Sequence, residues 1–318
     1  MLYYMRYASL ALMLPLLVFC ASSSRDNNTR QDDAKPPETG ATGPGSWTDD
    51  ISSYCVYYGT DQEERIKTYD LAVLEPDQYA PQQVQHMNRR THTVGYLSIG
   101  ETRTLKPGNG NGPGGNASWY MDQDGDGSPD QNPNWQSYFV DARDQAWHDH
   151  ILQRAKVILD EQQFQGLFLD TVTTADRFPE TKPGMIQLVR KLNRHYPDTR
   201  ILLNHSPSVY PEVLSAIDGV LIESSFCFYD RERETYRERT DNDRERHLNR
   251  LKEIRNTADT HRDRLLFLGL DYAGPDDGEI ADRCTRALHE RGFIPYVSTL
   301  DLRGAVPAAG EMGVPGGE

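Results

Sequence analysis

The sequence predicts an α/β fold, a single (β/α)8 barrel of the TIM type. Three observations carry that expectation. From Ser53 onward, eight short apolar runs alternate with amphipathic stretches, the order expected of parallel strands joined by crossover helices. Residues 48–306 supply the roughly 250 residues usual for such a barrel. No GxGxxG or GxxxxGK[ST] string directly follows any of the runs, which removes the main support for the runner-up, an open doubly wound nucleotide-binding sheet.

Taken in order, strands are expected over residues 54–58, 70–74, 93–99, 166–170, 200–204, 219–223, 265–271 and 292–297, where short runs rich in Val, Leu, Ile, Phe and Tyr occur. Helices are expected over 146–161, 183–195, 209–217, 241–259 and 276–290, where apolar residues recur at three- and four-residue spacing. Ahead of the barrel, residues 1–20 hold one charge, Arg6, and the apolar run Tyr7 to Phe19. That run is too short to cross a bilayer and suits a secretory signal peptide, so the protein is expected to be exported. Leu17-Val18-Phe19-Cys20 resembles a bacterial lipobox, although Phe19 stands where that pattern has a small residue. Two outcomes follow: lipidation of Cys20, giving a periplasmic or cell-surface lipoprotein, or ordinary cleavage after Ala21 or Ser23, giving a secreted one. Residues 21–47, rich in Ser, Asp, Asn, Pro and Gly, are expected to form a disordered tether, and 307–318 a flexible C-terminal tail.

Composition narrows the partners. Across 318 residues, 34 Lys and Arg stand against 48 Asp and Glu, a net charge of -14 and a pI near 5.1. Such a surface repels a polyphosphate, so nucleic acid is excluded and a neutral or cationic substrate fits better. The membrane enters only through a lipid on Cys20. Residues 229–255 are dense in charge, but the signs alternate, which reads as a solvated loop and helix laced with ion pairs. With Cys20 set aside, Cys55, Cys227 and Cys284 remain, without CxxC spacing. At most one disulfide can form, no zinc site is implied, and small buried hydrophobes are the expectation. His148, His150 and His205 have no metal-ligand spacing.

In this fold the reactive groups close the strands at their C-terminal ends. Those positions hold Glu75, Glu101, Asp170, Asn204, Glu223 and Asp271, five carboxylates among six residues. Glu75 by itself reads as a helix N-cap or a solvated loop residue. A ring of acids at one mouth suits a substrate that develops positive charge, as a glycosyl oxocarbenium ion does.

Longer strings extend this. Val94-Gly95-Tyr96-Leu97-Ser98-Ile99-Gly100-Glu101, Phe139-Val140-Asp141-Ala142-Arg143-Asp144-Gln145-Ala146-Trp147 and Gly166-Leu167-Phe168-Leu169-Asp170-Thr171-Val172 resemble the hallmarks of glycoside hydrolase family 114, secreted endo-α-1,4-polygalactosaminidase-like barrels. The resemblance continues through Ile201 to Asn204 and Gly219 to Ser224, and covers the chain from Tyr54 to Thr299. It implies a glycosidase acting on α-linked, galactosamine-containing polysaccharide, with catalytic carboxylates on the fourth and sixth strands, here Asp170 and Glu223. The strand-end reading selects the same two. Asp170 is assigned as nucleophile and Glu223 as general acid/base, which makes the reaction retaining. Substrate binding is assigned to Tyr58, Glu101, Asp141, Asn204, Asp271 and Tyr272, and Trp147 to packing. No cofactor is required. The alternative function is a non-catalytic carbohydrate-binding or envelope-assembly lipoprotein on the same barrel.

The insertion Lys106 to Asn134 contains Asp122-Gln123-Asp124-Gly125-Asp126-Gly127-Ser128-Pro129-Asp130, which opens like a calcium loop. Pro133 replaces the Glu at its twelfth position, so an EF-hand is excluded. Two readings stay open: an isolated structural Ca²⁺ loop with ligands Asp122, Asp124, Asp126 and Asp130, or a wall of the cleft carrying substrate contacts such as Trp119.

Overall fold

The computed structural model describes residues 50–108, 112–258, 260, 265–307 and 309. The signal peptide, Cys20, the tether and nearly all of the C-terminal tail lie outside the described residues.

Eight strands form one parallel sheet in chain order: β1 (Tyr54–Tyr57), β2 (Leu71–Leu74), β3 (His92–Ser98), β4 (Gly166–Asp170), β5 (Arg200–Asn204), β6 (Gly219–Glu223), β7 (Leu266–Tyr272) and β8 (Ile294–Ser298). All eight expected strands are present, and the (β/α)8 reading holds. Most of the strand residues are buried on both faces, because helices cover the outside and side chains fill the barrel. The seam between β1 and β8 differs from the other junctions. Pro295 in β8 has no N–H to donate, as suits a strand at an edge. There Tyr54 and Tyr296 pack with ring centroids 5.8 Å apart, and Tyr58 N donates to Leu302 O at 2.8 Å just past the strand ends.

Among the described residues, eight α-helices lie between the strands: α1 (Glu63–Ile66), α2 (Pro81–Met87), α3 (Gln145–Lys156), α4 (Thr174–Arg177), α5 (Lys182–His195), α6 (Tyr210–Val213), α7 (Asp241–Thr257) and α8 (Gly278–His289). The Asp144 side chain caps α3 by accepting from Ala146 N at 2.7 Å, and α3 runs on into a π turn over Val157–Glu161. Pro183 lies in the first turn of α5, where its missing N–H has no intrahelical use.

Two excursions leave the barrel at its C-terminal end. After β3, Glu101–Thr102 pairs antiparallel with Tyr138–Phe139 and encloses the long insertion. After β6, Cys227–Asp230 pairs with Thr235–Glu238 in a hairpin where the sequence suggests only a solvated loop. The expected ion pairs are there: Asp230 takes Arg233 at 3.0 Å and Arg237 at 2.9 Å, and Glu238 takes Arg283 at 2.9 Å. The cysteine expectation is corrected. Cys227 and Cys284 form a disulfide that ties the hairpin to α8, and among the described residues Cys55 is the free thiol, buried. Sequence spacing could not show this, because the two cysteines stand 57 positions apart and are brought together by the barrel. Among the described residues, no helix is long and apolar enough to cross a membrane.

Candidate active site

Strand alternation decides which end residues face the mouth. The registers Tyr96↔Phe168, Ser98↔Asp170, Phe168↔Leu202, Asn204↔Leu221 and Leu270↔Glu223 place Asp170, Asn204 and Glu223 on the inward side. Asp170, Asn204 and Glu223 come from three consecutive strands and meet in one cluster. Asn204 Nδ2 donates to Asp170 Oδ1 at 2.7 Å and to Glu223 Oε1 at 2.7 Å, so one amide holds both carboxylates. The Tyr272 hydroxyl at the end of β7 donates to the other oxygen of Glu223, Oε2.

Burial and the neighbouring Asp170 charge push the Glu223 carboxyl above the usual range, against the opposing pull of the Tyr272 and Asn204 bonds. A carboxyl so placed holds its proton to higher pH than a free one and can donate it. Tyr58 and Tyr96 complete the cluster, with ring centroids 5.4 Å apart in an edge contact. Burial leads in raising both phenols, and the Asp170 charge adds to it, so both hydroxyls stay protonated beside that carboxylate.

Both carboxylates are followed by a residue in the left-handed region, Thr171 at φ 61° and Ser224 at φ 56°. Neither is Gly, and for a β-branched Thr this conformation is costly. Local bonds hold it. Thr171 Oγ1 accepts from Gly100 N at 2.7 Å and meets Ser98 Oγ at 2.8 Å. Gly100 has to lack a side chain here, since a Cβ would lie 2.1 Å from the Thr171 carbonyl oxygen. On the other strand, Arg239 grips the Ser224 carbonyl through Nη2 at 2.8 Å and Nε at 3.1 Å. These two turns went unnoticed in the sequence, where the only sign is a hydroxyl residue after each acid.

The remaining assigned residues have other surroundings. Glu101 is buried, and its carboxylate accepts from Asn132 Nδ2 at 3.0 and 3.2 Å and from the Ser137 hydroxyl. Asp141 accepts from Arg143 through its backbone N at 2.9 Å and its guanidinium at 2.7 to 3.1 Å, bonds that hold its pKa low despite the opposing effect of burial. Asp271 has the opposite strand parity to Tyr272. Its buried carboxylate accepts from the backbone N–H groups of Ser225 at 2.6 Å, Phe226 at 2.9 Å and Cys227 at 3.1 Å, and burial still pushes its pKa up to about 7.

In the insertion, Asp122, Asp124 and Asp126 bring carboxylate oxygens within 4.8 Å of one another. Asp130 stands apart from that trio and accepts from Gln123 N at 2.8 Å. Trp119, a cleft contact under one of the two readings of the insertion, stacks on His150 at 5.6 Å and packs against Trp147, whose indole N–H donates to Ile99 O at 2.9 Å. The exposed aromatic is Trp135, which the sequence reading passed over; it is 51% exposed and carries the Arg231 guanidinium 4.4 Å from its ring centroid. Its position in the polar turn Asn132-Pro133-Asn134-Trp135 was the available signal.

Comparison with known proteins agrees with the barrel fold. The fold matches the glycoside hydrolase domain of PelA from Pseudomonas aeruginosa with a TM-score of 0.65 and 23% identity, over 81% of this chain and 98% of that one. It also matches Ega3 from Aspergillus fumigatus, solved in complex with galactosamine, with a TM-score of 0.55 and 12% identity, over 83% of this chain and 98% of that one. The α-galactosidase TtGalA from Thermus thermophilus is similar over 84% of this chain and 60% of its own, with a TM-score of 0.54 and 12% identity. No curated protein sequence matches the chain. The model of glycoside-hydrolase family GH114 matches residues 31–313, so the chain is a glycosidase and belongs to family GH114.

Proposed function

We propose that the protein is an exported glycosidase that cleaves α-linked, galactosamine-containing polysaccharide with retention of configuration, through Asp170 as nucleophile and Glu223 as general acid/base. The observation that carries this is the shared amide of Asn204. Two 2.7 Å bonds to one nitrogen keep the nearest oxygens of the pair no more than about 5.4 Å apart. That favours direct attack over the wider spacing of about 6.5 to 9.5 Å that leaves room for an inverting water.

In the first step Glu223 gives its proton to the glycosidic oxygen, Asp170 attacks the anomeric carbon, and the bond to the leaving sugar breaks. The product is a glycosyl ester on Asp170. In the second step the Glu223 carboxylate takes a proton from water, the water oxygen attacks the anomeric carbon, and Asp170 is released. As Asp170 loses its charge in the ester, one cause of the raised Glu223 pKa disappears. Glu223 then ionises more readily, which supplies the carboxylate form the second step needs.

The amino-sugar substrate is supported by the family resemblance, by the net charge of -14, and by the galactosamine bound to the structurally similar Ega3. Export is supported by the apolar segment in residues 1–20 and by the Cys227–Cys284 disulfide, a bond that persists in oxidising compartments.

The test is hydrolysis of galactosamine polymer by the purified protein. Wild type should release reducing ends, while Asp170→Asn and Glu223→Gln should each lower the rate by about 10³-fold or more with little change in melting temperature. NMR of the first product should show the α anomer. Binding without release, identical in all three proteins, would show that the barrel only holds the sugar.

A further inference from the structure

One carboxylate at the mouth has a use that the two-carboxylate reaction does not account for. Glu75 directly follows β2. The register Leu74↔Tyr57 on one side and Leu74↔Gly95 on the other sets Glu75 between Tyr58 and Tyr96, on the inward-facing side together with Val73. As a bare sequence position Glu75 suggests a helix cap. The structure removes that role: the 3-10 turn Pro76–Gln78 receives no side-chain cap from Glu75, whose backbone carbonyl accepts from Gln78 N at 3.2 Å.

Among the described residues, no hydrogen bond or ion pair reaches the Glu75 carboxylate. Arg154 is engaged by the adjacent Asp77 at 3.1 Å, and Arg103 and Arg303 act on Glu75 only from beyond ion-pair distance. Burial dominates its environment and pushes its pKa up. A partly buried acceptor without donors is unfavourable, and here the open side lies toward the sugar site. Tyr96 links the two, since both the Asp170 and the Glu75 charge act on its hydroxyl.

We propose that Glu75 receives the amino group of the sugar unit seated against Asp170, as an ammonium, and so sets a preference for the free amine over the N-acetylated sugar. This rests on the reading of Asp170 and the amino-sugar substrate given above. An ammonium is a pure donor and a carboxylate a pure acceptor, and the flanking phenol rings favour a cation further. An acetamide keeps one N–H but brings no charge, and it adds a carbonyl oxygen, a second acceptor, close to the carboxylate. The site therefore discriminates by attraction and by repulsion at once.

The experiment compares kcat/KM on galactosamine and N-acetylgalactosamine oligosaccharides of equal length for wild type, Glu75→Gln and Glu75→Asp. Wild type should prefer the free amine. Glu75→Gln should lose about 10- to 100-fold on the free amine and change little on the acetylated chain, so that the preference collapses. Glu75→Asp, which keeps the charge, should retain part of it. Equal losses on both substrates, or a preference unchanged in Glu75→Gln, overturns the proposal while leaving the substrate reading intact. A wild type that prefers the acetylated chain or cleaves neither overturns the amino-sugar reading and this proposal with it.

Discussion

Asp170 and Glu223, at the ends of β4 and β6, share one Asn204 amide. Outside that arc, Glu101 takes the Asn132 amide and the Ser137 hydroxyl, and Asp271, within β7, takes three consecutive backbone N–H groups from the segment after β6. The same residue type thus does two kinds of work at one barrel mouth. A carboxylate saturated by donors from its own chain holds a loop in place and has little left for a substrate. One that keeps lone pairs free, in a partly buried site beside another acid, can exchange protons or attack. The framing loops also carry the Cys227–Cys284 link and the Arg239 grip on Ser224, so the segment after Glu223 is held from three directions.

The contrast can be broken from the catalytic side first. Asn204→Ala removes the bond common to both carboxylates, and kcat/KM should fall about 10²-fold, the cost expected of a misplacement near 1 Å. Because the Asn204 bond lowers the Glu223 pKa, the basic limb of the pH–rate profile should move to higher pH in the variant. An unchanged rate would mean that the two acids hold their places without the shared amide.

The framing side should respond in stability. Asp271→Asn keeps one acceptor oxygen but replaces the other with a donor facing N–H groups, which should cost about 2 kcal/mol in denaturant unfolding. The pH dependence has a defined sign. The folded pKa near 7 lies above the unfolded value of 3.8, so between them the unfolded chain releases its proton first. The contribution of Asp271 is full below about pH 4 and is lost as the pH rises to about 7. The stability gap between wild type and Asp271→Asn should therefore narrow over that window, and a gap independent of pH would count against the buried-carboxylate account.

The smallest effect sharpens the boundary between the two sides. Tyr272→Phe removes a donor to Glu223 Oε2 and leaves Asp271 untouched. We expect a loss of about 3- to 10-fold in kcat, a higher-pH basic limb, and nearly unchanged stability. A stability loss as large as that of Asp271→Asn would place Tyr272 with the framework instead.

Much of this was legible in the chain itself. Apolar runs spaced by amphipathic helices determined eight parallel strands, because a strand buried on both faces needs a continuous hydrophobic run and a parallel neighbour needs a crossover. The strand-end rule then located Asp170, Asn204 and Glu223, since a polar residue closing such a run has only the mouth to face. Tertiary structure decided the rest. Asp271 satisfies the same rule, but β7 continues to Tyr272, and with a two-residue side-chain period that single step turns Asp271 away from the sugar site and Tyr272 toward it. The roles of Glu101 and Glu75 diverged through their partners: donors 31 and 36 residues along the chain fold back onto Glu101, and among the described residues none reaches the Glu75 carboxylate. Residue identity and strand period were written locally, whereas which carboxylates remain unsatisfied depends on donors that only the closed barrel and its two loop excursions bring into range.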